Sequence, residues 1–138
     1  MSKMKLNIVT PEEVVYDDNI EMVIVRTIDG DRGIMPRHAS LITGLDIGTI
    51  RIKANNEEYV LAATKGYMEV QPEETTILVD SAEFVDEIDV ERAKAAKKRA
   101  EERLDSPNPK DNINERRAEL ALQRALNRLK ASKGRNFE

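Results

Sequence analysis

Two prolines constrain the last third of this chain more than any other feature. Pro107 and Pro109 stand in the run Asp105-Ser106-Pro107-Asn108-Pro109-Lys110-Asp111, between two long stretches of helical periodicity. Each lacks an amide proton and disfavours helix in the residue before it, so the two stretches cannot form one helix. An antiparallel helical hairpin over residues 88–130 is the expected result. Its first arm carries Val90, Ala93, Ala100 and Leu104 on one stripe with Ala96 beside it, and its second carries Ala118, Leu122, Ala125 and Leu129. Alanine stripes let two helices approach closely but bury little area, far less than the roughly 1.5–3 kcal/mol worth of a buried leucine at each position. The hairpin should therefore be marginal by itself, and mobile.

A basic column runs beside each stripe. Arg92, Arg99 and Arg103 are seven and then four residues apart, and Arg117, Arg124 and Arg128 repeat that spacing. Such spacing keeps each set on one side of its helix. If the arms pack antiparallel, the columns can converge, and planar guanidinium forks suit phosphate or carboxylate oxygens. Spacing alone favours a solvated surface laced with i,i+4 pairs such as Lys97–Glu101 and Lys98–Glu102.

Charge divides the chain at the same place as periodicity does. The net charge is −4, but residues 1–87 carry 8 Lys/Arg against 17 Asp/Glu, and residues 88–138 carry 14 against 9. A composition shift that coincides with a change of period marks a boundary, predicted here between residues 1–85 and 86–138. The basic half invites an acidic partner. Nucleic acid is disfavoured, because aromatics are 4% of residues, tryptophan is absent and the bases alternate with acids. There are no cysteines, so disulfides and thiolate chemistry are excluded. The opening MSKMKLNIVTPEE lacks the apolar core of a signal peptide, and no stretch reaches the ~18 apolar residues of a membrane span. Contact with a membrane is expected only through a partner.

Residues 4–81 read as short strands separated by turns. MKLNIV, VVYD, IEMVIVRTI, TIRIKA, EYVLAAT, GYMEVQ and TTILVDS are strand candidates, with Gly33-Ile34-Met35-Pro36 a brief extended piece. Thr10-Pro11-Glu12-Glu13, Asp29-Gly30, Asn55-Asn56 and Pro72-Glu73-Glu74 are the turn signals. IEMVIVRTI is apolar on both faces and suits one strand buried on both sides. Short strands at this spacing predict a sandwich or barrel. Asp86 and Asp89 compete as N-cap of the first helix, Asn112 with Glu115 resembles a capping box, and Gly134 is placed to stop the second helix.

No catalytic or metal site is expected. His38 is the only histidine, no P-loop or GxGxxG string occurs, and no carboxylate pair stands out from a strand face.

The string Gly30-Asp31-Arg32-Gly33-Ile34-Met35-Pro36-Arg37-His38-Ala39-Ser40-Leu41, then Gly66-Tyr67-Met68-Glu69-Val70, resembles the epsilon subunit of bacterial F-type ATP synthase. LNIVTPEEVVYDDNIEMVIV near the start and RRAELALQRALNRL near the end fit as well, in collinear order from Lys5 to about Lys130. Lys65 departs from the pattern, which more often has a second glycine there. The resemblance implies an α+β chain: a flattened β-sandwich of about ten strands followed by an antiparallel two-helix hairpin. It implies a non-catalytic place in the central stalk, with the sandwich between the gamma subunit and the ring of c subunits. That location is peripheral, on the cytoplasmic face of the cell membrane. The hairpin is implied to extend along gamma and oppose ATP hydrolysis by meeting the catalytic alpha and beta subunits. The string Ile88-Asp89-Val90-Glu91-Arg92-Ala93 further matches members that bind ATP without hydrolysing it. On that match the nucleotide-binding residues are Ile88, Asp89, Arg92, Ala93, Arg99, Arg124 and Arg128, with ATP a regulatory ligand and no metal. A free-standing ATP-sensing module is the alternative, and a nucleic-acid-binding hairpin a third.

Overall fold

The computed structural model describes residues 2–105 and 112–135. It divides into two compact units, Met1–Phe84 and Val85–Glu138.

The first unit is all strand: β1 (Met4–Val9), β2 (Val14–Ile20), β3 (Met22–Thr27), β4 (Gly30–Ile34), β5 (Leu41–Leu45), β6 (Gly48–Ala54), β7 (Glu57–Ala63), β8 (Gly66–Val70), β9 (Glu74–Val79) and β10 (Ala82–Phe84). They run in the order β10-β7-β6-β3-β5-β8-β9-β1-β2, with β4 hydrogen-bonded to β3. Every pairing is antiparallel except β1 with β9. The path folds over at β3, which pairs with β6 at Met22–Ile24 but meets β5 only at Thr27↔Leu45. That single bridge makes the corner of the sandwich. Between the layers lie Leu6, Ile8, Ile20, Val23, Val25, Ile34, Ile52, Leu61, Met68, Val70 and Ile77, all essentially excluded from solvent.

The turns use the chemistry their sequences offer. Asn55 and Asn56 both take positive φ, 54° and 64°, as the two central residues between the paired Ala54 and Glu57. This is the two-residue hairpin loop whose twist matches that of its strands. Thr10 closes the β1–β2 loop by accepting the Glu13 amide on its hydroxyl at 3.3 Å. Lys65, where the family pattern differs, is exposed, and its carbonyl accepts the Asp80 amide at 3.4 Å. The β8 approach turns normally without a second glycine.

Three expectations change. IEMVIVRTI is two strands: Ile20 ends β2, Glu21 bends, and Val23, Val25 and Thr27 form the inner face of β3. β5 and β10 lie outside the strands read from periodicity. LITGL in β5 is interrupted by Gly44, and β10 has only three residues, too few to show alternation.

Tyr16 and Tyr59 sit near each other's strands and both titrate above the ordinary phenol value. Burial, then the Asp18 charge, raises Tyr16; a 2.5 Å hydrogen bond donated to the Glu57 carboxylate raises Tyr59. Because the folded form prefers neutral phenols, this contribution is complete below pH ~10 and is lost as pH rises through the raised folded values. Chemical denaturation across the alkaline range should show stability falling as phenolate absorbance appears. Equal stability before and after phenol ionisation would contradict the assignment.

The second unit is a 3₁₀ turn (Val85–Glu87) leading to α1 (Val90–Asp105) and then α2 (Asn112–Arg135). Asp89, not Asp86, is the N-cap. Its carboxylate accepts the Arg92 amide at 3.1 Å and its carbonyl the Ala93 amide at 3.0 Å, while Asp86 lies within the 3₁₀ turn. α2 continues through Gly134 to Arg135. A glycine costs only about 1 kcal/mol relative to alanine inside a helix, too little to stop one unaided. The prolines at 107 and 109 and the side chain of Asn112, the capping partner expected for Glu115, lie outside the described residues; Glu115 itself is exposed in the first turn of α2.

Candidate functional site

Two surfaces carry the chemistry, one in each unit. In the first unit, solvent-facing side chains of β5, β8, β9, β1 and β2 line up across the strands. Gly44 pairs with Tyr67, Tyr67 with Leu78, Leu78 with Val9, and Val9 with Val14. Ile28 continues the row. Its amide donates to the Gly44 carbonyl at 3.3 Å, and its side chain lies 3.5 Å from where a Gly44 Cβ would stand. Ile28 is 70% exposed, Tyr67 66%, Val14 60% and Leu78 51%, with Ile42 beside the row at 74%. Scattered exposed apolar residues need no explanation, but a continuous row of them on one face marks a contact surface.

The flanks of that row are acidic. Two residues along, the next row on the same face is Ile42–Glu69–Thr76–Asn7–Asp17. On the other side, Asp46 and Asp80 directly follow β5 and β9 and are exposed; Lys65 lies beside Asp80, and Arg26, whose carbonyl accepts the Asp46 amide at 3.0 Å, is paired with Asp31. Asp17 meets Lys5 at 3.6 Å, a pair exposed on both sides that counts for little.

In the second unit α1 and α2 pack on each other, and the 3₁₀ turn before α1 also touches α2. Ala93 and Ala100 on α1, and Ala118 and Ala125 on α2, are 1–2% exposed and face the interface. Each is preceded by an arginine: Arg92, Arg99, Arg117 and Arg124. One residue back is about 100° round a helix, so every one of these arginines flanks the interface. The twofold that relates two antiparallel helices is perpendicular to their common plane and keeps one side of it on that side. Equal offsets on the two arms therefore bring both arginine columns to the same side of the seam. Parallel helices would put them on opposite sides.

Of the residues expected at a nucleotide site, Ile88 is 6% exposed and Ala93 is buried in the seam. Asp89 is exposed and occupied as a helix cap, Arg92, Arg99 and Arg124 are exposed, and Arg128 is half-buried. Neighbouring cations pair locally: Lys94 with Glu91 at 3.7 Å, Lys97 with Glu101 at 3.7 Å, and Arg116 with Glu119 at 4.0 Å. The Lys98–Glu102 pair does not form within 4.0 Å. Among the described residues Arg92, Arg99 and Arg124 form no ion pair either, so their forks stand open to an added anion. No group of three or more His, Asp or Glu gathers to hold a metal among the described residues, and no helix there is long and apolar enough to cross a membrane.

Comparisons with known proteins cover both units. The family described as ATP synthase, Delta/Epsilon chain, beta-sandwich domain matches residues 3–85, and the companion ATP synthase, Delta/Epsilon chain, long alpha-helix domain matches residues 86–133. An ATP synthase epsilon chain of Bacillus velezensis is 50% identical over 129 residues, 94% of this chain and 96% of that one. That of Desulforamulus reducens is 46% identical over 128 residues, 93% and 96% of the two chains. A chain in the cryo-EM structure of the Euglena gracilis mitochondrial ATP synthase, OSCP/F1/c-ring, shares the fold with a TM-score of 0.81 at 18% identity, covering 100% of this chain and 83% of that one. With both family domains matched in order and relatives near half-identical over almost its whole length, the chain belongs to the ATP synthase delta/epsilon chain family.

Proposed function

We propose that this chain couples and regulates a rotary ATP synthase as an epsilon-type, non-catalytic subunit of its central stalk. The sandwich docks on the gamma subunit through the Ile28–Val14 row and bears on the ring of c subunits. The hairpin is the regulatory part. Extended, its basic arms meet acidic surface on the catalytic subunits and oppose ATP hydrolysis; folded on itself, it holds one ATP between its arginine columns. Membrane association then comes through the complex, at the cytoplasmic face.

One observation carries the reading. A single chain joins an apolar contact face to a basic hairpin whose seam is built of alanine. The low area buried by that seam keeps opening inexpensive, and the open arginines give closure a ligand to respond to. Family membership supplies the assembly in which both features have a use.

Deleting residues 85–138 tests the regulatory half. ATP hydrolysis by the assembled enzyme should rise several-fold while residues 1–84 remain bound to gamma. Replacing Lys94, Lys97 and Lys98 with glutamine should relieve inhibition partly, and raised salt should mimic it, since exposed charges are screened over about a Debye length. Unchanged hydrolysis after the deletion removes inhibition from the function. Failure to co-purify with gamma removes the stalk and leaves the free-standing ATP sensor.

A further inference from the structure

The spacing and flanks of the apolar row specify its partner beyond a name. We infer that the row receives a basic amphipathic α-helix, laid across the strands of β5, β8, β9, β1 and β2; the inference rests on the reading above that the occupant belongs to gamma. Strands in a sheet are about 4.8 Å apart, so the row rises once per strand at that interval. A helix presents one ridge per turn, about 5.4 Å. An extended segment laid the same way would present side chains on one face only every ~6.7 Å and fall out of step within three strands. From Gly44 to Val14 the row crosses four strand gaps, about 19 Å, which about 13 residues of helix cover.

The relief suits such a helix. Gly44 has no side chain and Val9 is half-buried, whereas Tyr67, Leu78 and Val14 project. Apolar residues of the incoming helix at i, i+3/i+4 and i+7 settle between those projections. Its flanks then face more carboxylate than free cation: Glu69 and Asp17 in one register row, with Lys5 beside Asp17, and Asp46 and Asp80 beyond the strand ends on the other, where Lys65 adjoins Asp80 and Arg26 is already paired with Asp31. Lysine or arginine flanks match that arrangement. An acidic helix of the same shape would meet like charge along both edges. The rim acts chiefly on approach and orientation, and the apolar row on retention.

Site-directed photo-cross-linking within the assembled enzyme tests the geometry. A photoreactive residue is placed in turn at Tyr67, Leu78 and Val14, and the captured positions are read by mass spectrometry. The three sets of captured residues should lie on one gamma helix, three, four or seven positions apart. Capture in gamma loops, or at alternate positions of a strand, overturns the helix. Capture of no gamma residue from any of the three sites overturns the docking face itself, and with it the partner assignment. The charge flank has its own readout. Glu69→Lys with Asp80→Lys should slow association with isolated gamma about tenfold at low salt, the difference vanishing at high salt, with an unchanged thermal melt. Association that ignores both salt and the substitutions overturns the basic flank, while leaving gamma as partner where cross-links to it are found.

Discussion

Gly66→Ala should destabilise the sandwich more than any other single-methyl addition to it. A Cβ at position 66 would stand 1.9 Å from the Leu78 carbonyl oxygen and 2.8 Å from both Val79 Cα and Val79 Cγ1. Two of those three atoms are backbone, in a strand hydrogen-bonded on both sides, to β8 and to β1. No rotamer change relieves the clash; β8 and β9 must separate. Overpacking that moves backbone costs about 1–3 kcal/mol, and here the upper end applies. For a unit of this size 1 kcal/mol shifts Tm by about 4–8 °C, so a fall of about 10–20 °C is expected. Gly33 provides the contrast. A Cβ there meets the far end of a flexible side chain, Met22 Cε at 2.6 Å, whereas at Gly48 it would meet Arg26 Cβ at 2.5 Å, an atom no rotamer change moves. Met22 has torsions to spare, so Gly33→Ala should cost distinctly less. Calorimetric melting of the two variants beside the wild type checks the order. Equal melting of Gly66→Ala and wild type would mean that the β8–β9 contact yields easily.

The consequence reaches the contact face. Tyr67 and Leu78 are register partners one residue along from Gly66 and Val79. Separation of β8 from β9 therefore opens a gap in the middle of the apolar row. On the proposed docking, weaker association with gamma should accompany the lost stability.

What could be read directly from the residues divides by how local the signal is. The Asn55-Asn56 turn, the alternation of TIRIKA and the alanine stripes each reside within a single turn, strand or helix. Each was legible because the deciding interaction lies within that element. The split of IEMVIVRTI at Glu21 was not, since both halves are apolar and only pairing of Met22–Ile24 with β6 starts a new strand there. Asp89 prevailed over Asp86 as cap for a similar reason: either can accept an amide, and the 3₁₀ turn over Val85–Glu87 claims Asp86 first. The apolar row left no trace in periodicity at all. Its members, residues 9, 14, 28, 44, 67 and 78, come from five strands and a turn, and each looks like an isolated lapse in its own alternation. Only the strand order makes them neighbours. The arginine columns are the intermediate case. Their seven-residue spacing was visible, but their convergence depends on the antiparallel seam and on every arginine standing one place before a buried alanine.

That offset gives the ATP proposal a prediction with a built-in control. Arg92, Arg99 and Arg124 stand one residue before the seam alanines, whereas Lys94 stands one residue after Ala93. Lys94 therefore flanks the opposite side of the interface and is paired with Glu91 at 3.7 Å. If ATP phosphates lie between the columns, Arg92→Ala and Arg99→Ala should each weaken binding by about tenfold or more, since a charged hydrogen bond contributes about 1.5–3 kcal/mol. Their combination should approach the sum of the two losses, and Lys94→Ala should change affinity less than about threefold, through screened long-range charge alone. Binding should not require Mg²⁺, because among the described residues no carboxylate cluster gathers to hold one. A ligand that contacts only the closed hairpin stabilises it by RT ln(1 + [L]/Kd), so saturating ATP should also raise the hairpin's melting temperature in the wild type and not in the double variant. Titration calorimetry on the full chain reads the affinities. Absence of binding at millimolar ATP would leave the columns as surface. Equal losses from Lys94→Ala and Arg92→Ala would mean that ATP responds to net charge and that the seam geometry is irrelevant to it.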